Sequence, residues 1–162
     1  MASWFTIQGP YPYPEEYGPK LTWDVYLQER HKNLAPQIKI GDRVFFYELK
    51  GTGKLEINNR VYRTPTGRMG LVKVGAVTGA LYHRSINEGL SKTYGPGRTY
   101  WSVGIPTNAG DSSGFVSREK VVDILGFANN YYFKGFSGGT GIKLIDEAVA
   151  HELLRLFSGV WL

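Results

Sequence analysis

Ile38-Lys39-Ile40-Gly41-Asp42-Arg43-Val44-Phe45-Phe46-Tyr47-Glu48 is the stretch that decides the fold. Gly41-Asp42 is a turn signal, because glycine tolerates positive φ and aspartate can bond its own backbone. It feeds directly into Val44-Phe45-Phe46-Tyr47, the longest run of strong strand formers in the chain. These four bulky residues do not alternate with polar ones, as a strand with one wet face would. Both faces must therefore be covered, which predicts a central strand over 43–49 with the rest of the chain packed around it.

Working outward, Ala2 to Gln8 reads as a first strand containing the pair Trp4-Phe5. Gly9 to Lys20 carries four prolines, which remove backbone donors and fix φ, so an extended loop displaying Tyr11, Tyr13 and Tyr17 is expected. Leu21 to Asn33 reads as a helix, with Thr22 as N-cap, Asp24 in the first turn and Trp23, Tyr26 and Leu27 on one face. Leu49 to Asn59 reads as a hairpin loop. Its Gly51-Thr52-Gly53-Lys54 is no phosphate-binding loop, because Leu55 stands where Ser or Thr is required. Arg60 to Arg68 places three arginines around a turn. Strands follow at 70–78 and 98–105, separated by a polar and irregular Ala80 to Thr93. Ser117 caps a short helix to Leu125, and Phe127 to Ile142 is a loop rich in glycine and aromatics. Ile145 to Phe157 has the clearest helical periodicity in the chain. The expected fold class is α+β: a curved sheet or small β-barrel with helices over 22–33, 117–125 and 145–157.

At 162 residues the chain is most simply one domain, 1–162, large enough to fold without disulfides or metal. It has no cysteine, which excludes a disulfide scaffold, a thiolate metal site and a cysteine nucleophile together. A cytoplasmic location fits that absence and the lack of a signal peptide in residues 1–25. No run approaches the ~18 apolar residues of a membrane span. The formal net charge is +5, and aromatics make up 14% of the chain, with 11 Tyr and 4 Trp. That combination suits a polyanion with exposed bases, since cations hold phosphates and flat rings stack on bases. A β-rich core in which tyrosine is simply a good strand residue would give the same composition.

The run Gly41-Asp42-Arg43-Val44-Phe45-Phe46-Tyr47 resembles the signature strand of EVE domains, members of the PUA-like superfamily related to YTH domains. The resemblance runs in order from about residue 3 to residue 157. Trp4-Phe5 stands at the family's opening aromatic pair, Trp23 at its helix tryptophan, and Gly70 to Gly79 at its next glycine-bearing strand. Trp101 enters the following strand, and a late helix closes the chain. The family's Arg-Asn pair after the tryptophan is absent; Asn33 comes later. The resemblance implies a module that flips a modified base into an aromatic pocket beside the sheet. The expected partner is DNA bearing a methylated or hydroxymethylated cytosine or N6-methyladenine, with RNA less favoured. Such modules serve as specificity domains of modification-dependent restriction systems, fused to or partnered with a nuclease or motor NTPase. The apolar end Gly159-Val160-Trp161-Leu162 is consistent with a domain cut from a longer chain. A small-molecule- or peptide-binding β-barrel without nucleic-acid function is the alternative.

The implied pocket takes Trp23, Tyr47 and Trp101 as stacking faces and Asn33 as the amide that reads the base edge. Each aromatic could equally serve the core. Arg30, Lys32, Arg60, Arg63, Arg68, Arg84 and Arg98 are the candidate phosphate contacts, with the Arg60–Arg68 loop foremost. No catalytic constellation is visible. His31, His83 and His151 lack a zinc spacing, no nucleophile elbow exists, and no carboxylate pair offers an acid/base couple. No enzyme activity, cofactor or metal is therefore expected.

Overall fold

The computed structural model describes residues 1–8, 23–50, 54–57, 60–63, 66–83, 103–108, 114–126 and 142–159. The expected loops at 9–20 and 127–141, and the residues Arg84, Arg98 and Trp101, lie outside them. The strands are β1 (Ser3–Gln8), β2 (Val25–Leu27), β3 (Arg43–Glu48), β4 (Lys54–Ile57) and β5 (Arg60–Arg63). They continue with β6 (Gly70–Ala76), β7 (Tyr82–His83), β8 (Val103–Ile105), β9 (Val116–Ser117) and β10 (Ile142–Ile145). A 3-10 helix covers Glu29–Gln37, and the α-helices are α1 (Arg118–Leu125) and α2 (Glu147–Ser158).

The main sheet has the order β10-β1-β3-β6-β9, with β1 and β3 parallel and the other pairs antiparallel. β3 is its middle strand, as the undivided apolar run predicts. Phe45 and Tyr47 point to one side, where with Phe5 and Leu71 they pack against Val121 of α1 and Ala150, Leu153 and Phe157 of α2. Val44 and Phe46 point to the other, where with Trp4 they meet Val25, Leu27, Val103 and Ile105 of a second sheet, ordered β2-β8-β7. The two cores on either face of β3 explain why no polar residue interrupts it. The fold is mixed α+β, with an open five-stranded sheet and a smaller second sheet, and among the described residues no barrel closes.

The Gly41-Asp42 turn staples this architecture. Gly41 takes φ 91°, a conformation that favours glycine. Asp42 is buried, and its carboxylate accepts from the Ala2 amide at 2.9 Å, the Lys39 amide at 2.9 Å and the Trp4 indole Nε1–H at 3.0 Å. Burial alone would push this carboxyl up. Its hydrogen bonds from Lys39, Trp4 and Ala2, with the nearby N-terminal charge, prevail and hold it below the usual carboxylate value. The starts of β1 and β3 are thereby tied together.

Several expected elements are corrected. The helix over 22–33 is instead β2 followed by the 3-10 helix. Val25 and Leu27 are buried at period two against β8, so strand pairing overrides the helical spacing of Trp23, Tyr26 and Leu27. Helix 117–125 is observed as α1 with Ser117 as N-cap, its Oγ accepting from the Lys120 amide at 3.4 Å. The helix expected from Ile145 begins at Glu147, because Ile145 pairs with Ser3 as the end of β10. Tyr82–His83 forms a short strand where irregular chain was expected. Arg60 and Arg63 lie on β5, paired with β4, so the three arginines of 60–68 do not share one turn.

Candidate nucleic-acid interface

The site forms where the second core thins out, on the side of the main sheet opposite the α-helices. Trp23 precedes β2 and is only partly buried; its ring meets Phe46 edge-on, with centroids 5.7 Å apart. The ammonium of Lys73 lies over the same indole, 5.4 Å from its centre. Lys73 reaches this face through a β-bulge. Phe46 pairs with Lys73, but the next residue, Tyr47, pairs with Leu71, leaving Val72 as the extra residue. Directly opposed residues share a face. The bulge therefore puts Gly70 and Lys73, three apart in sequence, on the side of Glu48 and Phe46.

Trp23 is fastened from behind. Its carbonyl accepts the Thr107 hydroxyl, and the carboxylate of Asp24 accepts the Thr107 amide at 3.0 Å and the Tyr82 hydroxyl at 2.6 Å. The Tyr82 ring crosses β8 at Gly104, where an added Cβ would lie 2.3 Å from Tyr82 Cζ. Thr107 is itself moored to the end of β6 by a bridge to Val77. The Asn108 side chain beside it accepts the Ala76 amide at 2.9 Å. Trp23 is thus set relative to Lys73 by hydrogen bonds between the two sheets.

Further along the same face stands Glu48, 9% exposed, whose Oε1 accepts the Arg68 amide at 2.8 Å. The segment around it is tightly built. The position of a Cβ on Gly67 falls 1.8 Å from the Leu49 carbonyl oxygen, and one on Gly70 falls 2.5 Å from the Phe115 ring. Met69 takes φ 55°, unusual outside glycine. The Arg68 guanidinium stacks over the half-exposed Phe115 at 4.1 Å. A guanidinium held this way keeps the edge of its fork open for an anion.

Of the residues singled out from sequence, Trp23 and Arg68 fall on this face. Tyr47 does not: it is 1% exposed in the helical core beside Phe5, with ring centroids 6.0 Å apart, and burial pushes its phenol up to about 12. The alternation of β3 turns it away from Phe46, and so from Trp23. Asn33 is exposed on the 3-10 helix, separated from Trp23 by all of β2. Arg30 is exposed on the same helix, Lys32 pairs with Glu29 at 3.1 Å, and Arg63 is exposed on β5. Lys73, Asp24, Tyr82 and Glu48 are the participants that sequence reading missed. Glu48, a charge ending a strand buried on both faces, carried the one legible signal. Among the described residues no group of three His, Cys, Asp or Glu side chains could hold a metal, and no helix is long and apolar enough to cross a membrane.

No known family profile matches the chain, and no curated protein matches it. Among solved structures, human THYN1 in complex with 5-methylcytosine-containing DNA superposes with a TM-score of 0.55 at 12% identity, over 96% of this chain and 97% of that one. The chain shares the fold of that protein, which supports the expected EVE-like, PUA-like architecture. Protein Atu2648 from Agrobacterium tumefaciens covers 96% of this chain and 92% of its own at 16% identity, but its TM-score of 0.45 is too low to weigh. The EVE-like likeness concerns the course of the chain.

Proposed function

We propose that this protein is a nucleic-acid-binding module that recognises a modified base in DNA, flipped out of the duplex and stacked on Trp23. The observation that carries the reading is the placing of Trp23. Its backbone carbonyl is held by the Thr107 hydroxyl, the adjacent Asp24 is held by the Thr107 amide, and its ring packs on Phe46 with cationic Lys73 over it. A preset aromatic face returns about 1–3 kcal/mol of stacking per base, comparable to the few kcal/mol that extrusion costs. The remaining affinity comes from phosphates, for which Arg68 is the best-prepared contact, with Arg30 and Arg63 exposed to assist. Human THYN1, which shares the fold, has been captured with 5-methylcytosine-containing DNA, and this supports a methylated or hydroxymethylated cytosine ahead of N6-methyladenine. The site offers stacking, a hydrogen-bond acceptor and cations, and in this reading its role is binding. In this reading the module supplies DNA specificity to a cytoplasmic modification-dependent restriction system whose nuclease or NTPase resides elsewhere.

The test is a fluorescence-anisotropy titration with duplexes of one sequence bearing 5-methylcytosine, 5-hydroxymethylcytosine, N6-methyladenine or no modification. One modified duplex should bind tightest. Trp23→Ala should lose about 1–3 kcal/mol of that binding while keeping the parent's circular dichroism spectrum. Equal binding of all four duplexes would refute the reading and favour a small-molecule or peptide ligand.

A further inference from the structure

Glu48 has no structural requirement to be charged. It is nine-tenths buried, its Oε1 takes the Arg68 amide, and no cation among the described residues pairs with it. The guanidinium of Arg68, whose own backbone amide bonds Glu48, is turned to Phe115 instead. A neutral acceptor would hold the Arg68 amide as well, and a nearly buried, unneutralised carboxylate is costly to keep. Among the described residues its second oxygen has no hydrogen-bond partner, and it is not sealed from solvent. Glu48 also shares its face of β3 with Phe46, two residues and about 7 Å back along the strand, and Phe46 abuts the Trp23 ring. Glu48 thus stands on the same face of the main sheet as the Phe46 ring against which Trp23 is packed.

We propose that Glu48 is the edge reader of the site: its free carboxylate oxygen accepts a hydrogen bond from the exocyclic amino group of the base stacked on Trp23. This rests on the modified-base reading and makes it more specific. An ionised carboxylate can only accept, so it welcomes the N4 amine of a cytosine-type base. Against the O4 carbonyl of thymine it meets another acceptor and is repelled. 5-Methylcytosine and thymine share the ring and the methyl group, so the discrimination falls on the amino-bearing edge. The Arg68 amide fixes the rotation of the carboxyl group, and the strained, glycine-tight 67–70 segment fixes the amide.

The experiment compares duplexes of one sequence carrying, opposite guanine, unmodified cytosine, 5-methylcytosine, thymine or N4,N4-dimethyl-5-methylcytosine. The last two pair with guanine more weakly than 5-methylcytosine does, so ease of extrusion favours them and cannot produce the expected preference. The parent should bind 5-methylcytosine about 5- to 100-fold more tightly than either. Glu48→Gln, whose amide can donate to O4 as well as accept from N4, should bring the 5-methylcytosine to thymine ratio to within about threefold of unity. If the parent prefers 5-methylcytosine to cytosine yet binds thymine or the dimethylated base equally well, the Glu48 assignment is overturned and the modified-base reading stands. An unchanged ratio in a folded Glu48→Gln variant overturns it likewise. Equal binding of 5-methylcytosine and cytosine removes the modified-base reading and this assignment with it. Should Glu48→Gln fail to fold, the dimethylated duplex decides the matter on the parent protein alone.

Discussion

Replacing Asp42 by alanine removes one acceptor from three donors at once: the indole of Trp4 and the amides of Ala2 and Lys39. Hydrogen bonds to a charged acceptor contribute about 1.5–3 kcal/mol each. The Ala2 and Lys39 amides lie near the surface and can turn to water, whereas Trp4 is 3% exposed and its N–H would be stranded. A net loss of about 3–5 kcal/mol follows. With a urea slope of about 2 kcal/mol per molar, the unfolding midpoint should drop by about 1.5–2.5 M, followed by far-UV circular dichroism. Asp42→Asn should lose about half as much, because an amide oxygen in the Oδ2 place still serves Trp4 and Lys39 while its nitrogen opposes the Ala2 amide. The carboxyl is held below its usual value in the folded protein. Its contribution is therefore complete above the ordinary carboxylate range and is lost as pH falls from there through the depressed folded value. The alanine variant should accordingly show a shallower loss of stability on acidification than the parent. A midpoint shift below about 0.5 M, or an unaltered acid slope, would refute the claim that this one carboxylate ties β1 to β3.

Arg68→Ala should reduce the log–log salt slope of DNA binding by about 0.9 for each phosphate it neutralises, and an unchanged slope would remove Arg68 from the phosphate contacts. Arg68→Lys should restore charge but little of the affinity, because an ammonium has no planar fork to stack on Phe115. Gly104→Ala puts a methyl 2.3 Å from Tyr82 Cζ and 2.6 Å from its hydroxyl. It should displace the ring from Asp24 and destabilise by about 1–3 kcal/mol in urea, and a parent-like midpoint would show that the crossing of β8 by Tyr82 is loose.

The central strand, the turn before it and the two α-helices were legible in the sequence because each rests on local chemistry. Gly41 supplies positive φ, Val44 to Tyr47 supply strand formers on both faces, and Ser117 supplies a cap. The PUA-like resemblance followed from those same residues in order. Where local preference and pairing disagreed, only the tertiary structure decided. Trp23, Tyr26 and Leu27 have helical spacing, but β8 offers Val25 and Leu27 a buried partner strand, and pairing prevails. The site was less legible still, because it depends on which side of β3 and β6 each residue occupies. Tyr47 looked like a pocket wall by proximity, yet strand alternation sends it into the helical core. Lys73 is turned towards Trp23 by a single extra residue at Val72, and a bulge leaves no mark in composition or spacing. The sequence by itself determined the covered strand and the aromatic and basic materials; the register between strands determined which of them meet.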